Sequence, residues 1–224
     1  MNAASGFDRT LELPAGGPGA GLALEARWRP AATPRAHPVL LAHGAGAGHD
    51  LPLLAALEAA LARRRFDVLS FHYPYMTRMR REGGRRPPDR ADVLEAAHER
   101  ALLELASLRP GRRALLAGKS MGGRIGSVIA AKGALCAGLV LVGYPLHPAK
   151  QPDRERGEHF RAIVQPALFL SGTRDALCDL ARLRRALASF GGRASLEVIA
   201  KRGVIAKPCR PLPCQRAIIA FDSS

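Results

Sequence analysis

Long apolar runs, aromatic side chains and a leader-like N-terminus are scarce or lacking in this chain of 224 residues. No apolar run approaches the roughly 20 residues that a membrane-spanning helix needs, so a protein that crosses the membrane by helices is excluded. The first ten residues, MNAASGFDRT, contain no basic segment followed by an apolar one. We therefore expect no signal peptide and a location in the cytoplasm.

Cysteine is also sparse, and its spacing excludes a zinc site. The four cysteines, Cys136, Cys178, Cys209 and Cys214, form no C-x-x-C pair and have no histidine at the spacing of metal ligands. Without a secretion signal, scattered thiols are expected to be reduced. The sequence therefore predicts neither a metal ion nor a disulfide framework.

Positive charge is abundant, with a formal net charge of +15, and it raises the question of nucleic-acid binding. Arginine accounts for 29 of the 34 basic residues, and these arginines are spread along the chain among acidic neighbours. No interleaved aromatic or groove-entering motif accompanies them, so we expect no nucleic-acid partner. One denser cluster, TRMRREGGRRPPDR at residues 77–90, is either a solvated loop or an anion-attracting rim beside an active site.

Buried strands and amphipathic helices alternate along most of the chain. Five apolar runs and a weaker sixth predict strands at residues 38–43, 66–73, 113–118, 138–144, 167–172 and 194–200. Helical patterns follow at residues 51–65, 90–108, 123–132 and 178–190. The first residues instead predict an antiparallel hairpin, FDRTLELP and GLALEARWRP. This alternation predicts an α/β fold with a doubly wound, mostly parallel sheet, in one domain over residues 1–199.

The stretch ALLAGKSMGGR contains the strongest catalytic signal. A phosphate-binding loop would require a glycine at Arg113, so that interpretation fails. The pattern G-x-S-x-G is met instead by Gly118, Ser120 and Gly122, after a predicted strand and before a helix. A serine in such a strained turn is a nucleophile, and the glycines avoid clashes there. Lys119 is then expected at the rim of the site.

Acyl transfer also requires oxyanion donors and a carboxylate that orients a base. The stretch LLAHGAGAGHD follows the first long strand, and we expect the N–H groups of Ala45 and Met121 to be the donors. His43 and Gly44 would support that loop. Asp175, directly after the strand ALFLSG, is the predicted acid, and Asp179 is a weaker substitute because it could serve a helix N-terminus.

These segments together resemble the α/β-hydrolase superfamily, in the small lidless branch near the dienelactone hydrolases. The motifs LLAHGAGAG, FHYPYMTRMRREGGRRPPDR, GKSMGGR, GYPLHP and LFLSGTRD resemble most closely the bacterial relatives of the testis-expressed protein 30 group. The resemblance implies a Ser–Asp–His triad that includes Ser120 and Asp175, and no cofactor. It also implies that residues 144–164 are too short for a cap domain, so that the site is open.

The triad histidine that the resemblance implies is missing. No histidine follows His159, and the expected position falls near Val204. The tail at residues 200–224 is rich in proline and basic residues and is atypical, so one hypothesis is a reading-frame shift after about Ile199. Another is that a different histidine serves as base, with His49, His72, His147 and His159 as candidates.

Two functional hypotheses of different classes follow from these observations. The first is a serine hydrolase of the carboxylic-ester class that acts on a small-molecule ester or acyl substrate and is impaired by the absent histidine. The second is a catalytically inactive hydrolase fold used for binding or scaffolding, or a frameshifted gene product. The sequence gives no oligomeric state.

Overall fold

The structure is a computed structural model that describes residues 6–46 and 48–200. In this part of the chain the strands are β1 (Phe7–Glu12), β2 (Ala23–Arg29), β3 (Val39–Ala42), β4 (Val68–Phe71), β5 (Ala114–Lys119), β6 (Cys136–Val142), β7 (Ala167–Gly172) and β8 (Ala194–Ile199). The helices are α1 (Pro52–Arg63), α2 (Pro74–Glu82), α3 (Ala91–Leu108), α4 (Met121–Ala131) and α5 (Leu180–Leu187), with a short 3-10 helix at Glu158–Ala162. The predicted tail lies outside the described residues, apart from residue 200.

The strands form one sheet of eight in the order β1-β2-β4-β3-β5-β6-β7-β8. β1 pairs antiparallel with β2 and β2 antiparallel with β4, whereas every pair from β4 to β8 is parallel. The predicted mostly parallel, doubly wound sheet with an N-terminal hairpin is confirmed. Between β6 and β7, a segment that the structure describes throughout, the chain contains only the short 3-10 helix, so no cap domain is inserted there.

Both faces of the central sheet are buried, which explains the continuous apolar runs. In β5, for example, Leu115 packs on the face covered by α1, and Leu116 packs on the opposite face with α3 and α4. Because these strands are parallel, the carboxyl ends of β3, β5, β6 and β7 lie along one edge of the sheet. The loops at such an edge are where catalytic and binding residues are found in open α/β sheets.

The arginine-rich cluster is part of a helix up to residue 82 and an exposed loop at residues 83–90, where the interpretation as a solvated loop holds. Residues 77–82 belong to helix α2, which starts with Pro74 as a favourable first residue and buries Tyr75 and Met76 in the core. Its arginines face carboxylates: Arg80 contacts Asp50 at 2.5 Å and Arg81 contacts Glu25 at 3.1 Å. Because these cations are already paired, this helix is not a free anion-attracting rim.

The described residues include two of the four cysteines, Cys136 and Cys178, which are free and buried. Over the same residues no cluster of side chains is suited to hold a metal ion. None of the helices described is long and apolar enough to cross a membrane.

Candidate active site

Ser120 occupies a strained turn between β5 and α4. Its backbone has φ 51° and ψ −117°, a conformation that only glycine adopts without cost. The Ser120 N–H donates to the Val142 carbonyl at 2.8 Å, and the Ser120 carbonyl accepts from the Arg124 N–H at 3.0 Å. These bonds hold the turn, and the partly exposed serine lines a cavity of about 280 Å³.

The two glycines of the motif are required by close backbone packing. A Cβ on Gly118 would lie 2.4 Å from the Gly123 nitrogen, and one on Gly122 would lie 2.6 Å from the His43 carbonyl oxygen. Both distances are far below van der Waals contact, and both partners are backbone atoms that cannot rotate away. The sequence expectation that a side chain would clash here therefore has a specific geometric cause.

Ala45 and Met121 line the same cavity as Ser120. Met121 is the first residue of α4, so its N–H has no partner within the helix. The loop before Ala45 lies close to the serine, since a Cβ on Gly44 would be 3.5 Å from the Ser120 Cβ and 3.6 Å from the Lys119 ammonium. The predicted nucleophile, the two predicted donors and the predicted rim lysine are thus adjacent.

His43 holds this loop through both ring nitrogens. Its Nδ1 lies 2.7 Å from the Gly44 carbonyl, and its Nε2 accepts from the Tyr73 N–H at 3.0 Å. Accepting at Nε2 requires the proton to be on Nδ1, which therefore donates to Gly44. Burial lowers the His43 pKa to about 4, so this imidazole is neutral, and both of its nitrogens are engaged in the loop and not available for the Ser120 proton.

Tyr75 is a second support that the sequence did not reveal. Its hydroxyl lies 3.3 Å from the Gly44 carbonyl and 3.0 Å from the Ala45 carbonyl. Its own N–H donates to the Asp89 carboxylate at 2.7 Å, which fixes the start of α2. With both carbonyls held by Tyr75 and His43, the orientation of the peptide groups around Ala45 is determined. The motif HYPY directly after β4 is the only signal in the sequence that could have pointed to this tyrosine.

Asp175 lies at the same edge of the sheet, after β7. One carboxylate oxygen accepts from the Leu177 N–H at 3.0 Å, and the other lies beside Gly143, where a Cβ would be 3.3 Å away. Gly143 directly follows β6, and β6 pairs with β5, the strand that leads into the serine turn. Asp175 therefore lies at the carboxyl end of β6, one strand away from Ser120. Asp179 instead caps α5, because its carboxylate accepts from the Arg182 N–H at 2.8 Å. This is the helix N-terminal role that the sequence analysis gave as the alternative to a role as the acid.

None of the four histidines proposed as substitute bases lines the Ser120 cavity in the part of the chain described. His159 lies 2.8 Å from the Ser127 hydroxyl, about 10 Å along α4 from Ser120. His147 contacts the Pro148 carbonyl at 2.9 Å. His49 stacks on His72 at 3.7 Å in a separate cavity beside β2. Val204, where the resemblance places the base, lies outside the described residues.

Three charged residues that the sequence analysis did not single out also line the cavity: Asp89, Arg124 and Arg156. Asp89 forms an ion pair with Arg78. Arg124 follows Ser120 by one helical turn, and Arg156 comes from the connection between β6 and β7. These residues meet only in the folded chain, which is why no local pattern marks them.

Comparisons with known proteins agree with the fold. A family model described as "Alpha/beta hydrolase domain" matches residues 35–204. Among solved structures, TT1662 from Thermus thermophilus is 24% identical with a TM-score of 0.66 over 97% of each chain. A dienelactone hydrolase from Anabaena variabilis is 18% identical with a TM-score of 0.68, over 88% of this chain and 87% of that one. A lidless α/β serine hydrolase from Xanthomonas campestris, XC6422, is 17% identical with a TM-score of 0.62, over 89% and 86%.

Proposed function

Because the chain belongs to the α/β-hydrolase domain family, we propose that it is a serine hydrolase of small carboxylic esters that works through an acyl-enzyme on Ser120. The observation that carries this proposal is the strained backbone of Ser120 beside the amide groups of Ala45 and Met121. Such strain is retained in proteins where a surrounding structure holds a functional group in place.

In the proposed reaction the Ser120 oxygen attacks the ester carbonyl, and the Ala45 and Met121 N–H groups stabilise the resulting oxyanion. Collapse of this intermediate breaks the bond to the alcohol, which leaves with a proton, and water then releases the acid. The serine proton requires an acceptor that Asp175 would orient. Removing one member of a triad typically leaves about 10³–10⁴-fold catalysis over water, so we expect low turnover from this chain.

We also propose the finer assignments that the motifs suggested: a place among the bacterial relatives of the testis-expressed protein 30 group and an open site for a small-molecule substrate. One domain over residues 1–199, an atypical tail at 200–224, a cytoplasmic location and the absence of a nucleic-acid partner stay predictions.

A second candidate is a catalytically inactive fold used for binding or scaffolding. It is favoured by one observation, the absence of any histidine after His159. A frameshifted gene product is favoured by the same observation, and resequencing of the locus tests it. A histidine codon in an alternative frame near codon 204 would support the frame shift, and its absence from both frames would remove it.

The experiment that tests the proposed function is labelling by a fluorophosphonate combined with hydrolysis of a p-nitrophenyl ester. We expect slow labelling and turnover that Ser120→Ala abolishes. The matched control is Ser107→Ala, which removes an exposed hydroxyl from α3 and should change neither signal. Absence of both signals from the unaltered chain would refute the proposal and favour the binding protein.

A further inference from the structure

We propose that the Ser120 cavity contains an oxyanion subsite formed by Arg124 and Arg156, and that the substrates are esters carrying a carboxylate or a related oxyanion group. Only the statement that the bound molecule is a substrate rests on the proposed function. The subsite itself is a binding site that can be measured without turnover.

Both arginines are held in place by backbone contacts. Arg124 lies in the first turns of α4, where its N–H donates to the Ser120 carbonyl at 3.0 Å. The Arg156 N–H donates to the Leu146 carbonyl, and the Arg156 carbonyl accepts from the buried Tyr144 hydroxyl, each at 2.7 Å. Both residues line the cavity together with the predicted nucleophile, Ser120.

Neither guanidinium has a carboxylate partner among residues 6–46 and 48–200. The lack of a carboxylate partner distinguishes Arg124 and Arg156 from the arginines of α2 and from Arg109. Arg109 donates two hydrogen bonds to the buried Asp67 carboxylate. In the part of the chain that the structure describes, the acidic residue that lines the cavity is Asp89, which is already bound by Arg78 and by the Tyr75 N–H. Within the described residues the cavity therefore has an excess of about two positive charges.

The positive charge of Arg124 disfavours that of Arg156. Partial burial lowers the pKa of Arg156, and the positive charge of Arg124 lowers it further. An anion between like charges converts that repulsion into two attractions. Guanidinium groups bind carboxylates and phosphates through paired N–H donors, so the chemistry of this cavity suits a small planar or tetrahedral oxyanion.

The size of the cavity limits the substrate. A volume of about 280 Å³ is at the lower end of what ligand sites enclose. An ester whose acid part ends in a second carboxylate, a few carbons from the scissile carbonyl, is small enough for a cavity of this volume.

The test measures binding to Ser120→Ala, which cannot form an acyl-enzyme, by titration calorimetry. The probes are monomethyl succinate, its uncharged analogue dimethyl succinate, and inorganic phosphate. We expect monomethyl succinate to bind at least ten-fold more tightly than dimethyl succinate. Adding Arg124→Gln or Arg156→Gln should each weaken that binding roughly ten- to a hundred-fold, the usual effect of a charge-assisted hydrogen bond.

The matched control is Arg184→Gln, which neutralises an exposed arginine on α5. It should leave the dissociation constants of monomethyl succinate and of phosphate unchanged. Phosphate binding with the same dependence on the two arginines, but without binding of monomethyl succinate, would support the subsite and assign it to phosphate groups. Equal affinity for the charged and uncharged esters, or affinity that both arginine variants retain, would overturn the proposal.

Failure of this proposal can be told apart from failure of the proposed function. Ester hydrolysis that depends on Ser120 but shows no preference for charged esters would refute the subsite alone. Binding that depends on the arginines in a chain without Ser120-dependent hydrolysis would refute the enzyme and retain the subsite.

Discussion

The strain stored at Ser120 makes a prediction that does not depend on catalysis. Replacing Ser120 by glycine should give a more stable protein than replacing it by alanine. Both substitutions remove the hydroxyl, which makes no hydrogen bond to another described residue. Only glycine also removes the Cβ that makes φ 51° and ψ −117° costly.

The expected difference follows from two opposing terms. A non-glycine residue in such a sparsely populated region costs about 1–3 kcal/mol. Glycine in turn costs about 0.5–1 kcal/mol, because the unfolded chain gains conformational freedom. The net free energy of unfolding of Ser120→Gly should therefore exceed that of Ser120→Ala by about 1 kcal/mol.

The assay is urea unfolding at neutral pH, followed by circular dichroism, on both variants and the unaltered chain. Ser107 supplies a matched pair, since it is an exposed serine in the last turn of α3. There the order should reverse, with Ser107→Gly less stable than Ser107→Ala by up to about 1 kcal/mol. Opposite signs at the two positions would identify backbone strain rather than a general effect of glycine.

The reasoning would be refuted if glycine destabilised position 120 as much as it destabilises position 107. In that case the turn would be unstrained for an L-residue, and the backbone conformation of Ser120 would no longer support the proposed function.

Three further predictions concern the support of the site. Gly122→Ala should lower the free energy of unfolding by about 2–3 kcal/mol, since its Cβ would meet the His43 carbonyl at 2.6 Å, whereas Gly17→Ala, with only one atom at 3.7 Å, should stay within about 0.5 kcal/mol in the same urea assay. Burial lowers the His43 pKa to about 4 from the ordinary value of 6.5, so the unfolded chain binds the proton first. Stability should be complete above about pH 6.5 and fall as the pH drops towards 4, with His43 alone contributing a loss of about 2 kcal/mol at pH 5, and an unchanged urea midpoint between pH 7.5 and 5 would contradict this. Asp67→Asn should cost about 2–4 kcal/mol because the buried carboxylate binds Arg109 at 2.5 and 2.9 Å and the Ala31 N–H at 2.8 Å, and a calorimetric melting temperature equal to that of the unaltered chain would exclude this.

The sheet could be predicted because its signals are local and strong. Strands buried on both faces require continuous apolar runs, and β3 to β8 lie within or beside the segments predicted for them. The serine turn was predictable for a similar reason, since Gly118, Ser120 and Gly122 lie within five residues. Helix α2 was missed because its buried residues, Pro74 to Thr77, are consecutive in the first turn and do not recur at the three- and four-residue spacing of an apolar helix face.

The supporting contacts of the site could not be predicted, because they join distant parts of the chain. Tyr75 reaches the Ala45 carbonyl across 30 residues, and Asp89 holds the start of α2 from 14 residues away. Arg124 and Arg156 line one cavity from two different connections of the sheet. Each of these residues has an ordinary appearance in the sequence and acquires its role only from the order of the strands.

The absent base leads to a last prediction, on the pH dependence of Ser120 acylation. β8 ends beside Asp175, since Ile199 pairs with Gly172 and its carbonyl accepts from the Thr173 N–H at 3.2 Å. The resemblance implies the triad histidine near position 204, five residues after the end of β8 at Ile199. A histidine base gives a labelling rate that levels off above its pKa, near 6.5.

Without such a base, the fluorophosphonate labelling rate should keep rising about ten-fold per pH unit through pH 8, because only hydroxide then removes the serine proton. Val204→His should raise the rate at pH 7 and introduce the plateau, whereas Val204→Gln, a matched polar control, should do neither. A plateau near pH 7 in the unaltered chain would mean that a histidine already present serves as the base, and the interpretation of an impaired triad would then be wrong.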